Sequence, residues 1–177
     1  KGSKSSLFYH YLRALKECQP KFFLLENVKM AKRWQDEISK LLGVEPILIN
    51  SSLVSFQKRP RLYWTNIPNV VPPKDRNVNF QDYKDTDPEY CKRFKLTPTE
   101  YHKRMWNNGA GRTENKIYQC NNHTHAEKVS CIKRALAAPM SLIACDDFCR
   151  SLTDRELQLA QTLPANYLEG LSHSAVA

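Results

Sequence analysis

Lys21-Phe-Phe-Leu-Leu-Glu-Asn-Val28 is the stretch around which the rest of the sequence can be ordered. Four consecutive apolar residues follow Pro20 and lead into a carboxylate, a pattern typical of a short strand buried on both faces of a parallel α/β sheet. Glu26 then lies at the carboxyl end of the strand, where ligands and reactive groups collect in open parallel sheets. The alternative is a strand that simply stops at a polar turn.

Helices and strands are predicted to alternate on both sides of this stretch. Ser5 or Ser6 can cap a helix that Pro20 ends, and it is expected to pack against a sheet. A second helix closes at Gly43, and Pro46-Ile-Leu-Ile follows it as another short buried strand. This order predicts half of a doubly wound α/β fold with right-handed crossovers. Four apolar residues should share one face of the second helix: Trp34, Ile38, Leu41 and Leu42.

Composition limits the classes of function. The 177 residues can bury a core of ordinary domain size. Lysine and arginine number 27 against 18 acidic residues, and the net charge of +9 favours a polyanionic partner such as nucleic acid. There is no signal peptide and no apolar run near membrane-spanning length. Six unevenly spread cysteines then indicate a reducing cytoplasmic or nuclear compartment with mostly free thiols.

Three polar side chains alternate along the next segment. In an extended chain Gln57, Arg59 and Arg61 share one face. Pro60 between the arginines lacks a backbone donor, which predicts an edge or irregular strand. Two guanidinium groups and an amide on one face can clamp an oxyanion, a base edge or a phosphate. The alternative is a solvated charged edge that blocks aggregation.

A loop-rich region follows from Pro68 to about Ala126. Inside it, the capping box Thr97-Pro-Thr-Glu100 predicts a short helix that ends near Trp106 and leads into a glycine-containing basic loop. The cations here are interleaved with aromatic residues, which suits phosphate contact and base stacking. A surface loop without a partner is the alternative. The four cations are Lys103, Arg104, Arg112 and Lys116.

Two cysteines and two histidines carry the thiol and imidazole groups that bind zinc in many proteins: Cys120, His123, His125 and Cys131. Their spacing fits no closed zinc module, because structural sites usually pair ligands as two separated, closely spaced couples. We therefore predict no metal, and expect the histidines to line a polar or nucleic-acid-facing loop.

The last clear pattern is the capping box Leu152-Thr153-Asp-Arg-Glu156, in which Leu152 and Leu157 are placed as a hydrophobic staple. The helix that it starts is expected to run to Leu163 and to stop before Pro164.

Three blocks, in this order, resemble the DNA (cytosine-5) methyltransferases. They are Phe-Leu-Leu-Glu26-Asn27-Val28, Gln57-Lys-Arg59-Pro-Arg61-Leu-Tyr-Trp, and Arg150-Ser-Leu-Thr-Asp-Arg-Glu156. The resemblance implies a partial, Rossmann-like methyltransferase sheet in residues 1–67 and a target recognition region in residues 68–149. Residues 150–177 would form a bracing helix and the return to the catalytic domain.

The resemblance also implies a chemistry. Enzymes of this family flip cytosine out of the duplex, add a cysteine thiolate to C6 and transfer a methyl group from S-adenosylmethionine. Glu26 would hold the N3 and N4 edge of the base, while Arg61, and secondarily Arg59, would stabilise charge on the O2 side. Supporting roles fall to Asn27, Gln57, Arg150 and Thr153.

Two parts of the family pattern are absent from this sequence. None of the six cysteines follows a proline, and the five glycines form no glycine-rich strand-to-helix turn. We therefore interpret the chain as the C-terminal part of such an enzyme, inactive alone, with double-stranded DNA and a complementary N-terminal fragment or subunit as partners. The S-adenosylmethionine site would lie mostly on the missing segments. Alternatives are a transfer RNA cytosine-C5 methyltransferase, a non-catalytic nucleic-acid-binding module and a small zinc protein.

Overall fold

A computed structural model describes residues 6–95, 125–132, 143–145 and 148–172. The chain divides into two compact units. The first unit comprises Lys1–Asn50 and Pro60–Pro73, and the second comprises Ser51–Arg59 and Lys74–Ala177. The functional boundaries predicted after residues 67 and 149 stay predictions.

A three-stranded sheet forms the centre of the first unit. Its strands are β1 (Leu24–Val28), β2 (Ile47–Asn50) and β3 (Pro60–Thr65), in the order β1-β3-β2. Both pairings are antiparallel, whereas the sequence predicted strands of a parallel α/β sheet. Strands β1 and β2 do run in the same direction, but β3 lies between them.

The position of β3 corrects a second prediction, that of an edge or irregular strand. Pro60 is the first residue of β3, where a missing backbone N–H is tolerated. Leu62 and Trp64 are buried in the core of the unit, and the Trp64 indole donates a hydrogen bond of 3.0 Å to the Ser39 hydroxyl. Burial of these two side chains favours the central place in the sheet.

Two helices cover one face of this sheet, α1 (Ser6–Cys18) and α2 (Lys32–Leu42). Gly43 ends α2 in the left-handed conformation, with φ of 73°, and its N–H donates to the Ser39 carbonyl at 2.8 Å. The end of α2 at Gly43 therefore agrees with the prediction from the sequence. The apolar face of α2 is narrower than predicted, because Trp34 and Leu41 are each 47% exposed. The core formed with the sheet contains Ile38, Leu62 and Trp64, with Phe8, Leu25, Met30, Leu42 and Val44 packed against them.

Strand β1 is not buried on both faces as predicted. Leu24 and Val28 are each 52% exposed, and burial alternates along the strand. The reason is that Leu24 and Val28 lie on the opposite face from Leu25, Leu62 and Trp64, which form the core with the helices. Glu26 is the third of the five β1 residues, so it does not lie at the carboxyl end as predicted.

Tyr11 of α1 carries a buried hydroxyl that has no hydrogen-bond partner among the described residues. Burial raises the pKa of Tyr11, because the low-dielectric surroundings disfavour the phenolate. An unpaired buried polar group costs about 1–3 kcal/mol. We expect Tyr11→Phe to leave the free energy of unfolding unchanged or to raise it by up to about 1 kcal/mol, measured by urea denaturation. A loss of stability would show that the hydroxyl has a partner.

The second unit has its own core. Its regular elements are α3 (Pro88–Lys92), β4 (Ile143–Ala144), β5 (Cys149–Arg150) and α4 (Asp154–Ala160), with β4 and β5 antiparallel. Short 3₁₀ turns lie at Ser51–Leu53 and Phe80–Asp82. The buried residues of the core are Phe56, Phe80, Val129, Ile143, Leu152, Leu157 and Ala160.

The start of α4 confirms the predicted capping box. The Thr153 hydroxyl accepts from the Glu156 N–H at 3.1 Å, and the Glu156 carboxylate accepts from the Thr153 N–H at 2.8 Å. The helix ends at Ala160 and not at Leu163 as predicted. The reason is local, because Thr162 has a φ of 62° and the Leu163 N–H turns back to the Gln158 carbonyl at 2.9 Å.

Several predicted features lie outside the described residues, namely the helix that starts at Thr97, Cys120 and His123. Among the residues that the structure does describe, no helix is long and apolar enough to cross a membrane. The same residues contain no group of three or more metal-ligating side chains.

Candidate functional site

An ion pair joins the first and third strands of the first unit. The Arg61 Nε lies 2.8 Å from the Glu26 Oε1. Glu26 is opposite Tyr63, and Val28 is opposite Arg61, so Glu26 and Arg61 are diagonal neighbours on one face of the sheet. The structure therefore brings together the two side chains that the sequence singled out, and their chemical roles stay predictions.

The two partners of this ion pair differ in exposure. The Arg61 side chain is 16% exposed and its Nη1 also donates to the Pro60 carbonyl at 2.9 Å, whereas the Glu26 side chain is 46% exposed. A half-exposed ion pair contributes about 0–1 kcal/mol to stability. The pair thus offers a fixed cation beside an accessible carboxylate, which suits a ligand that carries both hydrogen-bond donors and acceptors.

Asn27 does not join this face. It is opposite Leu62 in the β1–β3 ladder, so its side chain lies on the face of the sheet that the helices cover. Its Oδ1 accepts from the Val28 N–H at 2.8 Å. The predicted supporting role, in which Asn27 ties the loop together and does not react, stays a prediction.

Gln57 is buried in the second unit, so its amide belongs neither to an exposed clamp nor to a solvated edge, and its supporting role stays a prediction. Its Nε2 donates to the Ala160 carbonyl at 3.2 Å, and its Oε1 accepts from the Ile132 N–H at 3.0 Å. The Ser55 hydroxyl donates to the same Ala160 carbonyl at 2.6 Å. Gln57 therefore links the end of α4 to the segment 125–132.

Arg59 lies in the segment that precedes β3. Its Nη1 lies 3.2 Å from the Cys131 sulfur. The backbone before it pairs with Val129, whose N–H donates to the Phe56 carbonyl at 2.7 Å and whose carbonyl accepts from the Lys58 N–H at 2.9 Å. Because this pairing takes up residues 56–58, the single extended face predicted for Gln57, Arg59 and Arg61 is not formed.

Comparison with known proteins assigns the chain to a family. The family model of the C-5 cytosine-specific DNA methylases matches residues 1–176. The chain belongs to this family. The predicted resemblance is thereby confirmed.

A solved structure shares the fold of this methylase-family chain. The crystal structure of S. pombe Dnmt2 methyltransferase matches with a TM-score of 0.60 at 13% sequence identity. The match covers 96% of this chain and 63% of the Dnmt2 chain. At this identity the likeness shows the fold alone, and more than a third of the Dnmt2 chain has no counterpart here.

Arg150 and Thr153 of the methylase-family chain belong to a buried network of polar contacts. Arg150 and Glu156 have fully buried side chains and form two bonds, Nη1 to Oε2 at 2.7 Å and Nη2 to Oε1 at 2.8 Å. Burial opposes the charge of Arg150, but the hydrogen bonds and charge of Glu156 outweigh it and raise the pKa of Arg150. The guanidinium therefore stays charged inside the second unit.

Asp85 connects this network to the segment before α3. Its backbone N–H donates to Glu156 at 2.8 Å, its carbonyl accepts from Arg150 at 3.0 Å, and its carboxylate accepts from the Thr153 hydroxyl. Arg155 donates to the same carboxylate at 2.9 Å. Arg150 and Thr153 thus fasten α4 to this segment within the second unit, and the predicted bracing against the catalytic domain stays a prediction.

Sequence reasoning missed Asp85 and Cys91 in this network. The Cys91 thiol lies 3.4 Å from the Asp85 carbonyl, and burial raises the pKa of Cys91 although the charge of Arg150 opposes this. No local pattern marks either residue. The Arg150 partner of Asp85 lies more than 60 residues away in the sequence, and the partner of Cys91 lies in an irregular segment. The four predicted nucleic-acid contacts, Lys103, Arg104, Arg112 and Lys116, lie outside the described residues.

Neither of the two described glycines lies in a turn that leads from a strand into a helix. A nucleotide-like cofactor is usually held at a glycine-rich turn between a strand and a helix. The described glycines with positive φ are Gly43, which ends α2, and Gly170, which lies in a turn after α4.

Gln57 provides a test of the packing around Arg59. We expect Gln57→Met to cost about 1–3 kcal/mol of unfolding free energy, because the Ile132 N–H is left without its buried acceptor. Denaturation and amide exchange at Ile132 measure the loss. The exposed Gln161 is the control, and Gln161→Met should change stability by less than about 0.5 kcal/mol. Equal effects of the two substitutions would contradict the structural role of Gln57.

Proposed function

We propose that this chain is the base-holding and target-recognising part of a cytosine-C5 methyltransferase that acts on double-stranded DNA and uses S-adenosylmethionine. The observation that carries the proposal is the half-exposed Glu26–Arg61 pair, with its 2.8 Å contact, in a chain of the C-5 cytosine-specific DNA methylase family. The antiparallel strands described here would then be one part of a larger, Rossmann-like sheet.

The pair matches the hydrogen-bonding edge of cytosine. The base offers a donor at N4 and acceptors at N3 and O2. In its protonated form Glu26 can accept from N4 through its carbonyl oxygen and give the proton of its hydroxyl to N3, which leaves Glu26 as a carboxylate, while Arg61 donates to O2. Addition of a thiolate to C6 places negative charge on N3 and O2. A proton donor and a fixed cation at these atoms stabilise that charge in the transition state.

The nucleophile is proposed to come from a complementary segment. Cys18 is exposed on α1, Cys91 is buried with a raised pKa, and Cys131 contacts Arg59. None of the six cysteines of the sequence follows a proline. The Pro-Cys loop and the cofactor loop of the family are therefore assigned to an N-terminal fragment or subunit.

DNA binding is supported by the net charge of +9 and by the predicted cations of residues 68–149. We expect the affinity of the chain for duplex DNA to fall steeply with salt, with a slope of log Kd against log salt of about 0.9 per phosphate contact. Fluorescence anisotropy at several salt concentrations gives this slope. A slope near zero would show that the charge serves solubility alone.

Methyl transfer by a reconstituted enzyme tests the proposal. The chain is mixed with a polypeptide that carries the family consensus of the N-terminal half, labelled S-adenosylmethionine, and either duplex DNA or folded transfer RNA. We expect label at C5 of cytosine in DNA. Label on RNA alone would establish the transfer RNA alternative, and DNA binding without label from any soluble pair would favour the non-catalytic module.

A further inference from the structure

A short basic segment follows the carboxyl end of β1. No acidic residue lies between Glu26 and Asp36 in the sequence. The three cations of this segment and its one aromatic residue are all exposed, and we call them the basic patch: Lys29, Lys32, Arg33 and Trp34. The Trp34 side chain is 47% exposed. The patch is therefore a positively charged surface with an aromatic group, a combination that favours nucleic acid.

Two cations of the basic patch are available to a partner. Lys32 is paired within the chain, because its Nζ lies 2.7 Å from the Asp36 Oδ1. Lys29 and Arg33 form no ion pair with any carboxylate of the described residues. The Arg33 guanidinium lies over the Trp34 ring, 5.0 Å from its centroid. Stacking holds the plane of the guanidinium and leaves its N–H edge able to bind a phosphate.

The cations of the basic patch do not stabilise α2. Ala31 precedes the helix without a side-chain capping bond, and the first turn contains no acidic residue. The helix dipole is positive at this end and disfavours the two cations of the first turn, Lys32 and Arg33. A polyanion that contacts the patch would offset this repulsion. The charges of this segment therefore suit an anionic partner better than they suit the helix itself.

The basic patch lies at the same end of the first unit as the pair proposed to hold the base. Val28, the last residue of β1, is opposite Arg61, and Lys29 is the next residue. Lys29 comes three residues after Glu26, so their Cα atoms are at most about 11 Å apart. A cytosine held by Glu26 and Arg61 brings its own sugar and phosphates to this end of the sheet.

We propose that the basic patch binds the phosphate backbone of duplex DNA next to the flipped cytosine. The inference deepens the proposed function and rests on it. It adds backbone contacts from the first unit to those predicted for the cations of residues 68–149. Lys29 and Arg33 would supply the charge, and such contacts fix the position of the protein on the duplex without reading its sequence.

The salt dependence of DNA binding by the intact chain tests this surface. We expect Lys29→Gln and Arg33→Gln each to lower the slope of log Kd against log salt by about 1, and the double variant to lower it by about 2. Kd should rise by the same factor for labelled duplexes of unrelated sequence, because phosphate contacts are shared by all of them. Fluorescence anisotropy gives both quantities.

The matched control is Lys40→Gln, which removes the same charge from an exposed residue in the last turn of α2. Lys40 is about 10 Å along the helix from Arg33, and its substitution should leave the slope unchanged. Circular dichroism shows whether each variant is folded. Arg33→Gln should not lower stability, because the helix dipole opposes a cation at that position.

The outcomes separate this inference from the proposed function. The surface is overturned if neither Lys29→Gln nor Arg33→Gln lowers the slope more than Lys40→Gln does, or if the intact chain binds no duplex DNA. Methyl transfer by the reconstituted enzyme together with unchanged slopes keeps the activity and removes the surface. Lowered slopes without methyl transfer from any soluble pair support the surface and contradict the activity.

Discussion

Glu26→Gln is expected to lower the rate of methyl transfer by the reconstituted enzyme by about 10²–10⁴-fold, with little change in DNA affinity. Glutamine keeps the size of the side chain and can still form hydrogen bonds with N3 and N4 of cytosine. It cannot deliver a proton to N3. The loss should therefore appear in the chemical step and not in binding.

Single-turnover kinetics with labelled S-adenosylmethionine measures that step, and anisotropy measures binding. The control is Glu45→Gln, because Glu45 belongs to the same unit and its side chain is 77% exposed. Arg61→Lys should also reduce the rate, since lysine cannot reproduce the planar donor geometry of the guanidinium. An unchanged rate for Glu26→Gln would remove the carboxylate from the mechanism.

The local elements of the first unit were predictable from the sequence. Gly43 and the apolar spacing of α2 are signals that act within a few residues. The order of the strands was not predictable from the sequence, because it depends on contacts between distant residues. Trp64 places β3 in the centre by packing into the core and bonding to Ser39, which is 25 residues earlier. Nothing in the local pattern around Pro60 indicates that contact.

The same limit explains which of the residues singled out from the sequence lie together in the structure. Glu26 and Arg61 share a face because alternation along each strand fixes it once the register is set. The burial of Gln57 could not be predicted, because its partners, Ala160 and Ile132, are 103 and 75 residues away. A buried glutamine and an exposed one look alike in the sequence, and only the tertiary contacts distinguish them.

Glu156→Gln is expected to have the largest effect on stability, a loss of about 3–5 kcal/mol of unfolding free energy. The substitution leaves the charged Arg150 fully buried without a counter-charge. It also weakens the acceptor for the backbone N–H groups of Asp85 and Thr153. Urea denaturation of the intact chain measures the loss.

A double variant shows whether the unpaired charge is the cause. Arg150→Met combined with Glu156→Gln removes the buried cation and keeps an acceptor at 156, so it should be more stable than Glu156→Gln alone. Glu89→Gln is the matched control, because the Glu89–Lys92 ion pair is exposed and should contribute less than about 1 kcal/mol. If the double variant were the less stable of the two, the loss would come from hydrogen bonds that Arg150 makes to the Ser151 and Asp85 carbonyls. The bracing of α4 would then rest on those bonds and not on charge neutralisation.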